Sequence, residues 1–153
     1  MNIYSFQVTT GRKDGFLRIY HVRDTATLYD FRRFIENDLD FDDSQPGVFW
    51  CLNTNGNKTK QYSLFDTGDG AMDTVTIKKL YDDGIMMMLY TFDFYNNRSL
   101  IIEFTGTPDI QPRKSYPLIF ESKGEAPGQF EEKPVEEPLP KVGIDQTGDG
   151  DEY

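Results

Sequence analysis

Carboxylates are the residues with which this sequence could do chemistry. Glu36, Asp38, Asp40, Asp42 and Asp43 crowd into eight positions, and hard oxygen donors at such spacing suit Mg²⁺ or Ca²⁺. A calcium loop also sets a glycine and a closing glutamate at fixed offsets, and this stretch has neither. It reads as a solvated turn. The run DQTGDGDEY opens more like a calcium loop, with Asp145, Thr147, Asp149 and Gly150 at positions one, three, five and six. It stops short of the glutamate at position twelve, and no helical pattern flanks it. DTGDG, from Asp66 to Gly70, has no matching acid at the right distance. No metal site is assigned.

General acid-base work needs two carboxylates that the fold brings together. Asp93, in FDFYNNRS, is the first candidate, with Asp42, Asp43 or Asp83 as partner in a metal-assisted enzyme. Two of them within about 6 Å in one pocket, with displaced pKa values, would mark such a site. The competing role for Asp93 is to accept hydrogen bonds from turn amides. Cys51, the single cysteine, stands between Trp50 and Leu52 and reads as a small buried thiol. A nucleophile would need a base beside it, and His21, the single histidine, alternates with Leu17 and Ile19 as a partly buried strand residue. No phosphate loop, dinucleotide fingerprint, zinc cluster or nucleophile elbow is present, so no cofactor is assigned.

The elements that must position these residues follow from periodicity. IYSFQVTT, the turn GRKDG and FLRIYHV form a strand, Gly-bounded turn, strand pattern, with Phe16, Arg18, Tyr20 and Val22 on one face of the second strand. TLYDFRRFIENDL predicts an amphipathic helix. Thr27 and Asp30 are spaced as a capping box, Leu28, Phe31, Ile35 and Leu39 form the buried stripe, and Tyr29, Arg32, Arg33 and Glu36 fall on the wet side. GVFWCLN reads as a central strand buried on both faces, and NTNGNKTK as turn chemistry. A short helix over TVTIKKLY takes Asp73 or Thr74 as its cap. IMMMLYTFDF and SLIIEFTG form a hairpin through YNN, with Met86 and Met88 filling core on one face and Met87 on the other. Tyr116 to Phe120 predicts one more extended segment along the domain.

Charge separates domain from tail. Of the formal charge of −10, seven belong to residues 121–153, which carry ten acids against three bases, and three to residues 1–120. Apolar content of 37% with 14% aromatic fits an aromatic-rich core diluted by that polar segment. We therefore divide the chain into a domain over residues 1–127 and an acidic, Pro- and Glu-rich tail over 128–153, expected to be disordered. Arg12, Lys13, Arg32, Arg33, Lys78 and Lys79 are scattered among acids, which speaks against binding to a phosphate backbone. No window has the length and apolarity of a membrane span, and MNIYSFQVTT lacks the pattern of a signal peptide. A cytoplasmic protein without membrane contact is expected.

The order in TIKKLYDDGIMMMLYTFDF, a short helix, an acid-Gly turn and an aromatic strand ending in Tyr-x-Phe-Asp-Phe, resembles the plasmid pRiA-type ORF-3-like family, also labelled as mobile-element passenger proteins. The likeness extends back through TLYDFRRFIENDLDFDDS and forward through YPLIFESKGEAP, over roughly residues 1–127. It implies an α+β fold in which one main helix packs on a curved mixed, mostly antiparallel β-sheet, β-grasp-like, with a short second helix. Where the family writes Asp-Phe-Gly-Asp followed by an acid, Trp, one residue and His, this chain has Asp93, Phe94, Tyr95, Asn96, Asn97, Arg98, Ser99 and Leu100. Gln45 stands where the family often has a histidine. A polar site built on those histidines is not expected in this member. The sequence thus favours a non-catalytic binding or protein-interaction module, with a protein partner or a second copy as its partner. A carboxylate enzyme and a nucleic-acid accessory protein are the alternatives.

Overall fold

The computed structural model describes residues 2–130. Its strands are β1 (Ile3–Thr9), β2 (Leu17–Arg23), β3 (Val48–Leu52), β4 (Lys58–Tyr62), β5 (Met87–Asp93), β6 (Arg98–Gly106) and β7 (Leu118–Lys123), and its helices are α1 (Leu28–Leu39) and α2 (Ile77–Asp82). They form an α+β fold with a single seven-stranded sheet in the order β4-β3-β5-β6-β1-β2-β7. Each of the six strand pairings is antiparallel, and a lone parallel bridge, Ser63 to Ala71, lies outside the strands. The α+β class with one main helix and a short second one is as the sequence predicts.

The main helix starts where its capping box puts it. The Thr27 hydroxyl accepts from the Asp30 amide at 3.1 Å and the Asp30 carboxylate accepts from the Thr27 amide at 3.0 Å. Leu28, Phe31, Ile35 and Leu39 are buried against the sheet. Phe31 is central, with ring contacts to Phe6 at 5.2 Å, Phe49 at 6.1 Å and Tyr20 at 6.3 Å. These contacts fix the covered face of the sheet: Tyr4, Phe6, Val8, Tyr20, Val22, Phe49, Met88, Tyr90, Leu100 and Ile102 all join the core under α1 and α2.

Several local expectations need correction. Arg32 and Glu36 are not on a wet face but buried, at 2% and 6% exposure. The segment after α1 folds over them, so that Arg32 binds Glu36 at 2.7 Å and donates to the Gln45 carbonyl at 2.8 Å. The second helix is capped by Thr76, not by Asp73 or Thr74. Met72–Thr74 makes a separate 3-10 turn, and Val75, held extended, accepts from the Leu28 amide at 3.0 Å. That tie to the start of α1 interrupts the helix.

The segment read wholly as turn contains edge strand β4. Lys58, Thr59 and Lys60 are exposed there, a polar pattern that carries no periodic apolar signal and that shields a sheet edge from pairing. Consequently β3 is one strand in from the edge, and Trp50 is only half-buried. Of the three methionines only Met88 is core, at 3% exposure, while Met86 precedes β5 and is 50% exposed. The predicted last segment is β7, paired with β2.

After β7 the chain crosses the end of the sheet. Arg98 donates to the carbonyls of Gly128 and Gln129, each at 2.7 Å, and the Gln129 side chain exchanges hydrogen bonds with the Asp42 backbone at 2.6 and 2.9 Å. The boundary drawn at residue 127 therefore falls inside a strap bonded to the domain. From residue 131 on, the expected disorder of the tail and the loop from Asp145 to Gly150 lie outside the described residues. No helix among the described residues is long and apolar enough to cross a membrane.

Candidate functional site

Three of the four candidate carboxylates, Asp93, Asp42 and Asp83, are bonded to neighbours on their own loop or helix. Asp93 ends β5 at 7% exposure. It accepts from the Asn96 amide at 3.1 Å, the Asn96 side chain at 3.0 Å and Arg98 Nε at 2.8 Å. Burial works against its charge, but the hydrogen bonds from Asn96 and Arg98 outweigh this and hold its pKa below the usual carboxylate range. Such a group has no proton to give near neutral pH, and three of its roughly four acceptor sites are taken. Asp42 accepts from the Ser44 hydroxyl and amide, which lower its pKa. Asp83 pairs with Lys79 at 2.8 Å at the end of α2, and that bond lowers its pKa. Asp42 and Asp43 line one cleft together with Asp30, Glu36 and Asp40, beside Arg33, Phe34 and Tyr116. Asp83 and Asp93 do not join them there.

The other acids of the stretch differ in what holds them. Glu36 is paired with Arg32, Asp40 takes a left-handed conformation (φ 59°) to end α1, and Asp38 accepts from Arg18 at 3.0 Å and from the Tyr20 hydroxyl at 2.6 Å. No group of three or more His, Cys, Asp or Glu able to hold a metal occurs among the described residues. Cys51 is fully buried, and burial pushes its thiol up to about 11, which leaves it inert as a nucleophile. Burial likewise raises the Tyr20 and Tyr90 phenols above the ordinary tyrosine range, with Asp38 reinforcing the effect at Tyr20.

A testable consequence concerns alkaline pH. A phenol or thiol whose folded pKa is raised keeps its proton while the unfolded chain loses it, so the unfolded state binds fewer protons and stability falls as pH rises. The loss begins near the unfolded values, about 9 to 10, and grows by about 1.4 kcal/mol per pH unit for each such group. Urea unfolding between pH 8 and 11 should show this decline, and Tyr90→Phe should remove one group's share of the slope. A flat or rising stability over that range would contradict the burial of these groups.

The other face of the sheet differs. Residues 17, 19 and 21 of β2 point away from the helices, since Tyr20 between them meets Phe31 and Phe34. No helix among the described residues packs on that side. Across it runs a row paired in register, Trp50, Leu89 and Ile101, all half-buried. The Lys58 ammonium lies 4.2 Å from the Trp50 ring centre.

At the β7 end of this face the connection between β6 and β7 folds up to form a cleft of about 900 Å³, a size suited to a small molecule. Its floor is β1 and β2, through Ser5 and His21, and its walls are residues 105–111 and 114–120. The Thr105 hydroxyl lies 3.1 Å from both the Ser5 carbonyl and the Ser5 hydroxyl, and the Gln111 amide donates to the Tyr116 hydroxyl at 3.1 Å. His21 is 9% exposed. Its ring stacks on Phe120 at 4.5 Å and 15°, neither ring nitrogen has a hydrogen-bond partner among the described residues, and burial lowers its pKa. Sequence reasoning placed His21 on this strand but missed the cleft, because PDIQPRKSY has no periodicity that would predict where the wall stands.

Fold and site together define a small α+β domain with one sealed face and one face left open around a cleft. No family model and no curated protein matches the chain. Among solved structures it is similar to the crystal structure of MM3350, a protein of unknown function from Methanosarcina mazei Go1. The TM-score is 0.69 at 16% identity, over 82% of this chain and 71% of that one. The likeness is one of fold.

Proposed function

We propose that the protein is a non-catalytic binding module whose ligand enters the cleft on the helix-free face of its sheet. The observation that carries this reading is the cleft itself, about 900 Å³ on the helix-free face, with His21 in its floor stacked under the exposed Phe120. A concave site of that size with a few polar groups in its walls suits a small ligand. The carboxylate-enzyme alternative has less support, since Asp93, Asp42 and Asp83 are each held by neighbours on their own loop or helix. So has the nucleic-acid alternative: Arg32 is buried against Glu36, and Lys78 and Lys79 each face an acid one turn on. The expected protein partner or second copy belongs on the rest of the open face, along Trp50, Leu89 and Ile101. Membership of the plasmid pRiA-type ORF-3-like family and a cytoplasmic location rest on the sequence patterns given above.

The test is a protein-observed NMR screen with a chemically diverse fragment library. Shifts induced by binders should cluster on Ser5, His21, Thr105 and Phe120. Binders that cluster instead at the cleft bearing Asp42 and Asp43, or that leave His21 unmoved, would overturn the proposal.

A further inference from the structure

We infer that the open face binds a second copy of this chain, sheet against sheet, about a two-fold axis that runs parallel to the strands between β3 and β5. This deepens the binding-module reading by choosing a second copy over a foreign protein for that face, and it rests on the open face of that reading. Where one face of an antiparallel sheet is sealed and the other is wet, the outward positions alternate as polar residues. Here Trp50, Leu89 and Ile101 lie side by side on β3, β5 and β6, half-buried and with no helix among the described residues over them.

The layout of charge selects a second copy. The next row on the same face, paired in register across β4, β3, β5 and β6, reads Lys58, Leu52, Met87 and Glu103. A cation ends the row on one side and an acid on the other, with apolar side chains between. Both charged residues are exposed, and neither takes part in an ion pair among the described residues. The Lys58 ammonium, 4.2 Å from the centre of the Trp50 ring, stands on the open face itself. The axis bisects this set of four strands, so it lays β6 of each copy on β4 of the other, and β5 on β3. Lys58 of each copy then faces Glu103 of the other, twice by symmetry. Trp50 meets Leu89, Leu52 meets Met87, and Ile101 meets the carbon stem of Gln61, which pairs with Trp50 in register. An axis across the strands would lay β4 on β4, which holds no acid to face Lys58, so charge fixes the orientation. The floor of the cleft, β1 and β2, lies outside the four overlapped strands, and each cleft stays open in the pair.

Sedimentation velocity of the full chain tests this. Four overlapped strands make a small interface, so a reversible dimer with a Kd of about 10–100 μM is expected. Dilution should shift the emission of Trp50, the single tryptophan, to the red. Lys58→Glu alone and Glu103→Lys alone each set like charges together at both ends of the interface, and each should weaken the dimer at least about tenfold. Both residues are exposed, so each variant should keep the wild-type melting temperature. An equimolar mixture of the two variants should dimerise about as well as wild type, because the two acids of one row face the two bases of the other. A wild-type chain that stays monomeric to about 0.5 mM, single variants that dimerise as wild type does, or a mixture that stays monomeric would each overturn the proposal. The fragment screen decides the cleft separately, since its binders report on His21 and not on β3 or β5.

Discussion

Replacing Asp38 with alanine should destabilise the fold by about 4 kcal/mol, a large share of the roughly 5–15 kcal/mol that holds a domain folded. Asp38 joins α1 to β2. Its carboxylate oxygen accepts from Arg18 Nε at 3.0 Å and from the Tyr20 hydroxyl at 2.6 Å, and the Arg18 and Asp38 side chains are 9% and 11% exposed. Arg18 Nη1 meanwhile reaches the carbonyls of Leu17, Lys123 and Gly124 at 3.0–3.2 Å, tying edge strand β7 to the network. Without Asp38 a buried guanidinium loses its counter-charge and a buried phenol its acceptor, both of which were desolvated on folding. Urea unfolding at pH 7 measures the loss. The triple variant Arg18→Met, Asp38→Leu, Tyr20→Phe removes the charges and the hydroxyl together, and it should recover most of that loss. A cost below about 1 kcal/mol for Asp38→Ala would mean that the pair behaves as a solvated surface bridge.

The second large effect is expected at Gly47, just before β3. A Cβ there would collide with the Tyr90 hydroxyl oxygen and lie 2.6 and 2.7 Å from the ring carbons Cζ and Cε1. Tyr90 cannot retreat easily: it is 2% exposed and packs on Phe49 at 4.6 Å. Gly47→Ala should therefore cost about 3 kcal/mol through overpacking, a fall in Tm of roughly 10 °C for a domain of this size. The requirement here is space, in contrast to Gly15, which has room for a Cβ but holds φ at +78°. In the background of Tyr90→Leu, which opens that space, adding Gly47→Ala should cost almost nothing. A full 3 kcal/mol in that background would place the strain in the backbone instead.

Both networks show how far pattern could reach. Arg18 was legible as an odd charge on the face it shares with Phe16, Tyr20 and Val22, and such a residue must find a partner or drown unpaired. Which of the acids between Glu36 and Asp43 would serve it was not legible, since five carboxylates in eight positions give the same signal whether they point outward or in. The same crowding made that stretch look like one cluster. The helix end gives these acids separate partners, Arg32 for Glu36, Arg18 for Asp38 and Ser44 for Asp42, while Glu36, Asp40, Asp42 and Asp43 still line one cleft.

What the sequence alone determined are the elements whose physics is local. The capping box of Thr27 and Asp30, the 3.6-residue stripe from Leu28 to Leu39 and the alternation in β2, β5 and β6 each depend on residues within a few positions of one another, so they follow from spacing. Only the tertiary structure decided the rest. Edge strand β4 has no apolar pattern and exists because β3 offers it hydrogen bonds. Arg32 and Glu36 are buried because a later segment folds over them. The cleft exists because a connection without periodicity stands beside β2, which turned His21 from one residue in an alternating strand into part of a cleft floor.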